Sequence, residues 1–499
     1  MRLKKMTVSL LAAAMAVTTL AGCGAMPSTG NANGNGASEN TGVASKEEEK
    51  TDGQITLQVV DWSDGSAAQR EEFHKKFEET HPNIKIEYTM LTVDQFKNTI
   101  VTMIKSGEGP DLFPIPVGLT LDTAVEEGWF QPINDYVTDD FREKFDPAAF
   151  AEGVTDIGDE WYTVTEQMPI IQCLFFYNKS ILEQAGVNEI PKTYSEFREA
   201  CKKVTEMGNG NIYGLIDGGK QMNRMDVMAR SLAAAAGGKV AATQKVLTDN
   251  GVAPYDSKEM NEALGLIKGL VDDGSIHPDT INVSAPEARE LFAQGQAAFL
   301  CQGMWCVSQW DANYPDLKYG VMAGPVPDGV TNTYVQAGEL SPWMGIYKQS
   351  KHPKEAAEYL MALYDEQYGY QQSNVESGSF VSCIPEINEK YMTNEHMKEY
   401  YTIAEETSRV VPTLVKRDEK ANDFYAEVKD VQPSLGAIVQ GIISQSLTDY
   451  SSALKILADD TTTEWKRASE AVGMDYSSLE FPNWDVTKDY TDADYAALK

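Results

Sequence analysis

The sequence predicts an α/β protein of two lobes, and three observations carry that prediction. From Gln54 onward, short β-branched runs alternate with longer amphipathic stretches. A chain of 499 residues, 42% of them hydrophobic, holds enough apolar material for two separate cores. Residues 170–177, 321–327 and 373–385 interrupt the alternation where the chain can pass between lobes; the first segment is apolar, the second proline-rich and the third irregular.

In chain order, the first element stands outside the fold. Arg2, Lys4 and Lys5 precede an apolar run over residues 8–17, which leads to Leu20-Ala21-Gly22-Cys23. The run is too short to cross roughly 30 Å of hydrocarbon as a helix, so it reads as an export signal. Its last four residues resemble the lipobox of bacterial lipoproteins, which implies a mature chain beginning at an acylated Cys23. Residues 24–52 are mostly Gly, Asn, Ser, Thr and Ala with a short charged run at residues 46–50 and no apolar periodicity, as a flexible tether requires. The body opens with a βαβ unit: a strand over residues 55–60, a helix over 69–79 with Phe73 and Phe77 one turn apart, and a strand over 84–88. Such units build a sheet with helices on both faces and bind ligands beyond the carboxyl ends of the strands, where Trp62-Ser63-Asp64-Gly65 falls. The tail is mostly helical, with residues 428–457 its clearest amphipathic part. No internal repeat of fixed period occurs.

Charge narrows the function. The formal net charge of −33 deepens to −36 once Arg2, Lys4 and Lys5 leave with the signal. That balance argues against nucleic acid and against adhesion to anionic lipid, which need basic patches. Contact with the membrane is expected only through the lipid anchor. Beyond Cys23 the cysteines are Cys173, Cys201, Cys301, Cys306 and Cys383, an odd number without a Cys-x-x-Cys pair. A disulfide framework is not expected, a single Cys301 to Cys306 bridge being the one alternative. The five histidines are scattered without zinc spacing, no calcium loop is present, and neither a metal nor another cofactor is expected. The stretch from Gly214 to Lys220 has phosphate-loop spacing, but Gln221 stands where Ser or Thr is needed.

Several ordered stretches resemble the extracellular solute-binding proteins of ABC importers, in their large sugar-binding family. They include His81-Pro82-Asn83-Ile84-Lys85-Ile86, Gly107-Glu108-Gly109-Pro110-Asp111-Leu112, Glu127-Gly128-Trp129 and Phe176-Tyr177-Asn178-Lys179. Further on come Pro191-Lys192-Thr193-Tyr194-Ser195-Glu196-Phe197, Phe292-Ala293-Gln294-Gly295-Gln296, Gly303-Met304-Trp305 and Ser350-Lys351-His352-Pro353. The resemblance covers residues 54–363 well and the tail loosely. It implies a two-lobed, periplasmic-binding-protein-like α/β fold with a hinge and a central ligand cleft. It also implies capture of a sugar or oligosaccharide, delivery to the transmembrane subunits of an ABC permease, a monomeric state and no catalysis. The expected organisation is a signal over 1–22, a lipid-anchored tether over 23–53, a first lobe of 54–165 with 323–375, and a second lobe of 166–322 with 376–499.

A sugar offers apolar C–H faces and a rim of hydroxyls, so its site needs aromatic platforms with acidic and amide acceptors. Trp62 and Asp64 match a segment that lines the family's cleft, although Trp62 has the alternative of packing on its own lobe. Trp305 falls where the family has a sugar-stacking tryptophan after the same Gly-x-Trp spacing; its alternative is a core role. Trp343 and Glu339 lie in the loop before the strand at 344–347, and Glu166 precedes the first crossing. Asn223 and Arg224 follow Tyr213-Gly214, where the second lobe reaches ligand; Arg224 could answer an acidic sugar or pair with Asp217 or Asp226. Asp111 is expected to pin a loop. A surface-anchored glycosidase would use the same residue types, but the sequence offers no fixed pair of carboxylates and no nucleophile elbow. The same fold with a non-sugar solute is the other alternative.

Overall fold

The structure is a computed structural model that describes residues 53–62, 66–91, 93–116, 119–151, 153–168, 173–240, 245–330, 335–336 and 343–498. The export signal, Cys23, the tether up to residue 52, Asp64, Glu339 and residues 170–172 of the first expected crossing lie outside the described residues.

Within the compact unit Asp52–Lys499, two sheets organise two lobes. The first sheet runs Ile84–Met90, Ile55–Asp61, Leu112–Pro114, Met344–Tyr347, Phe130–Gln131. Its first three strands are parallel, and Met344–Tyr347 returns antiparallel from later in the chain. Alternation along Ile55–Asp61 serves both faces: Leu57 and Val59 enter one core with Phe73 and Phe77, while Val60 enters the opposite core with Phe96 and Phe113. Asp111 pins its loop as expected, accepting from Gln58 N–H at 2.9 Å and from the Ser350 hydroxyl at 2.6 Å.

The second sheet runs Tyr319–Met322, Leu174–Asn178, Ala297–Gln302, Tyr213–Ile216, with only the last pair parallel. The strand Leu174–Asn178 is buried throughout because helices cover both faces; Phe175 and Tyr177 feed one core, Leu174 and Phe176 the other. Local signals fix the helices around it. Asn178 accepts from Ile181 N–H to start the helix Lys179–Gln184, and Thr193 with Glu196 closes a reciprocal cap on Tyr194–Gly208.

The tail departs from expectation in three ways. The amphipathic stretch is not continuous: Leu435–Ile443 ends where Gln445 turns left-handed at φ 61°, and Asp449 caps a new helix, Tyr450–Val472. The irregular segment at 373–385 begins inside a helix, Tyr370–Ser377. Beyond the expected boundary at 375, Phe380, Cys383 and Ile387 still pack in the first-lobe core; Met397 and Tyr400 pack in the second. The five described cysteines are free and buried, so Cys301 and Cys306 are not bridged.

Candidate functional site

The carboxyl end of Ile55–Asp61 carries a buried polar cluster centred on Arg70, from the first turn of the helix Ala67–Thr80. Arg70 and Asp61 are both fully buried and ion-paired. One guanidinium nitrogen donates to Asp61 and, at 2.7 Å, to the Tyr88 hydroxyl; the other reaches Glu166 Oε1 at 2.6 Å and the Tyr370 hydroxyl. Tyr370 also donates to Glu166. Burial opposes the charge of Arg70, but Asp61, Glu166 and the tyrosines outweigh it and hold the guanidinium cationic. Burial, then the Arg70 charge, pushes the His74 imidazole down to about 3, and burial pushes the Tyr88 hydroxyl up to about 12.

Three residues expected at the ligand meet this cluster. Asp61 Oδ1 accepts from the Trp62 N–H at 2.6 Å and faces Trp343 Nε1 at 3.5 Å. The Trp343 ring lies 5.1 Å from the Arg70 guanidinium and parallel to Tyr370, with centroids 6.4 Å apart at 7°. Trp343 is 4% exposed, and the Glu166 side chain 11%. Trp62 is half-buried and meets Phe96 edge-on with ring centroids 4.8 Å apart, so it packs on its own lobe. Asp61, Arg70, Tyr88 and Tyr370 were not singled out from the sequence. The available signal was Arg70 itself, on the helix face that carries Phe73 and Phe77; a buried arginine must find carboxylates.

The second lobe has a counterpart. Asp217, just past Tyr213–Ile216, accepts from Gly218 N–H at 2.6 Å and from Gln302 Nε2 at 3.3 Å. Arg224, in the helix Met222–Ala235, lies 3.5 Å from the other Asp217 oxygen and donates to the Cys301 carbonyl at 2.6 Å. Burial pushes the Asp217 carboxyl up against the pull of Arg224. Of the two partners considered for Arg224, Asp226 is taken by Arg230 at 2.6 Å. Asn223 is exposed beside it. Trp305 is half-buried at the start of Cys306–Asn313 and packs on both second-lobe cores. The Gly-x-Trp spacing has a steric cause, since a Cβ on Gly303 would stand 2.1 Å from the Trp305 ring. Gly218 is likewise a packing glycine, its missing Cβ 2.3 Å from Ala285 N, rather than part of a phosphate cradle.

Among the described residues, no group of three His, Cys, Asp or Glu side chains could hold a metal ion, and no helix is long and apolar enough to cross a membrane. The arrangement is one of half-buried indoles, Trp62 and Trp305, at strand ends next to buried aspartate–arginine pairs.

The chain also has relatives among known proteins. The chain is 25% identical to a binding protein of Brucella abortus (strain 2308), over 63% of this chain and 73% of that one. A shorter match, 31% over 119 residues and 24% of each chain, is to the maltotriose-binding protein of Pyrococcus abyssi. The fold is shared with the GacH receptor of Streptomyces glaucescens, solved unliganded and with acarbose, at a TM-score of 0.64 and 18% identity over 83% of this chain and 99% of that one. The family model of bacterial extracellular solute-binding proteins matches residues 62–370, more than half of the chain, and the protein therefore belongs to that family.

Proposed function

We propose that this protein captures a sugar or oligosaccharide between its lobes and delivers it to the permease of an ABC importer, held at the outer face of the membrane by lipid on Cys23. The observation that carries the reading is a half-buried tryptophan at a strand end in each lobe, Trp62 anchored through its N–H to the buried Asp61 and Trp305 after Ala297–Gln302, since flat apolar faces suit the C–H surfaces of a sugar ring. Trp305 and Asn223 contribute from the second lobe, where Arg224 is taken up by Asp217 and the Cys301 carbonyl, and Asp64 and Glu339 belong to the same expected set. The two relatives named for maltotriose and solved with acarbose favour the same ligand class. No covalent chemistry is assigned to the cluster, because Glu166 and Asp61 are both committed to Arg70.

A thermal-shift panel of monosaccharides and oligosaccharides, maltotriose included, tests the ligand class. A ligand that binds only the folded protein adds about 2.7 kcal/mol at a hundred times its dissociation constant. One or more saccharides should raise the melting temperature and be recovered uncleaved. A panel without a single shift, alongside a clear shift with a polyamine or a phosphate ester, overturns the sugar assignment; cleaved sugar overturns the binding role. The anchor is tested separately: Cys23→Ser should release the protein from cells, and mass spectrometry that finds an unmodified Cys23 in the membrane fraction would refute it.

A further inference from the structure

The side chains after residue 407 form a body that the ligand cleft does not explain. Leu414, Phe424, Trp465 and Leu479 enclose Leu247 and Ala253, which lie in the second lobe between the helices Met222–Ala235 and Lys258–Asp272. The Ala253 N–H donates to Thr462 Oγ1 at 2.9 Å, and Leu247 bridges to Glu480. The neighbouring helix Leu435–Ile443 sends Leu435, Ile438 and Val439 into the second-lobe core. This body is therefore rooted in the second lobe.

Its other side touches the first lobe. In the helix Ala421–Glu427, Asn422 Nδ2 donates to Asp122 Oδ2. Asp122 sits in the first turn of Leu121–Glu126, whose Leu121 and Ala124 pack with Phe96, Phe113 and Phe130 against the first sheet. Gly153, at φ +73°, makes room for the pair: a Cβ there would stand 3.2 Å from Asn422 Nδ2 and 3.4 Å from Val415. The helix Leu121–Glu126 follows Leu112–Pro114, which runs parallel to Ile55–Asp61. Its first turn consequently stands at the same sheet edge as Asp61, the edge that faces ligand.

We propose that the body built from residues 408–498 is a latch between the lobes, anchored in the second and holding the rim of the first through Asn422 and Asp122. The chain crossings fix a hinge but leave its angle free, whereas a hydrogen bond to a carboxylate at the rim must break when the lobes swing apart. Losing a bond to a carboxylate made only in the closed arrangement raises the open-to-closed ratio by roughly ten- to a hundredfold. The latch acts on the lobes without touching the ligand.

Small-angle scattering of the full chain without sugar tests it, so its outcome is independent of the ligand reading. Asn422→Ala should enlarge the radius of gyration while leaving the melting temperature unchanged. The pair Asp122→Cys with Asn422→Cys, oxidised, should hold the smaller radius, and reduction should release it to that of Asn422→Ala. An unchanged radius in Asn422→Ala, or an increase seen only together with a lowered melting temperature, overturns the proposal.

Discussion

The strand Ile55–Asp61 in the first lobe and the strand Tyr213–Ile216 in the second each lead into a buried aspartate whose Oδ1 accepts the next backbone N–H at 2.6 Å, from Trp62 in one case and Gly218 in the other. Each aspartate offers its second oxygen to an arginine on the following helix, Arg70 or Arg224. The resemblance ends there. Arg70 also holds Glu166 and Tyr370, residues from the segments that lead toward the crossings, 96 and 300 positions away in the chain. Arg224 turns instead to the Cys301 carbonyl and the Cys173 thiol within its own sheet. One arginine fastens distant parts of the chain together, and the other completes a single strand end.

Removing each arginine is the strongest test of that difference. Arg70→Met strands two carboxylates in the core, and loss of one member of a buried pair costs about 3–5 kcal/mol. Arg224→Met leaves one aspartate that burial already pushes toward its neutral form, so the expected loss is about 1–3 kcal/mol. Denaturant unfolding of the two variants should show this order; equal losses would end the distinction.

A second test uses pH. The folded His74 has its pKa near 3, below the ordinary 6.5, so the buried neutral ring contributes stability that is complete above about pH 6.5 and lost as pH falls toward 3. The wild type should lose about 3 kcal/mol of His74-linked stability between pH 7 and pH 4, and His74→Gln should lose less over the same range. Parallel unfolding curves for the two proteins would contradict the assignment. Asp217 has the opposite sign: its folded pKa is raised, so its contribution is present below its ordinary range and declines as pH climbs through the raised value. Asp217→Asn should therefore match the wild type in acid and gain on it toward neutrality.

The tryptophans sharpen the comparison at finer scale. Trp343, stacked on Tyr370 and nearly enclosed, should cost about 3–5 kcal/mol of stability on truncation to alanine. Half-buried Trp305 should cost less stability, and on the order of 2 kcal/mol of sugar affinity, or roughly thirtyfold in Kd. Calorimetric titration and melting of Trp305→Ala decide its role: unchanged affinity with a collapsed melting temperature would make it a core residue.

These contrasts also explain what was readable in the chain. Phe73 and Phe77, the cap formed by Thr193 and Glu196, and the Gly303-to-Trp305 spacing are local features, and local sterics and hydrogen bonding dictate them. The pairing of Arg224 with Asp217 spans one loop and was also within reach. The Arg70 cluster was not, because its partners Asp61, Tyr88, Glu166 and Tyr370 converge only after the sheet and the returning chain have assembled. Arg70 shares the helix face of Phe73 and Phe77, which marks it as buried, but nothing local names its partners. The break between Leu435–Ile443 and Tyr450–Val472 was missed for a related reason: apolar periodicity persists across it, and the turn at residues 444–449, with Gln445 left-handed, contains no glycine or proline to mark it.

The interior placement of Cys173, Cys201, Cys301, Cys306 and Cys383 as free thiols has a practical corollary for biogenesis. A body with five free, buried thiols gains nothing from oxidative folding machinery and is exposed to mispairing only while unfolded. Closing the core around these thiols is what protects them, and the same polypeptide should mature equally well in a reducing compartment, where a disulfide-dependent protein would stall.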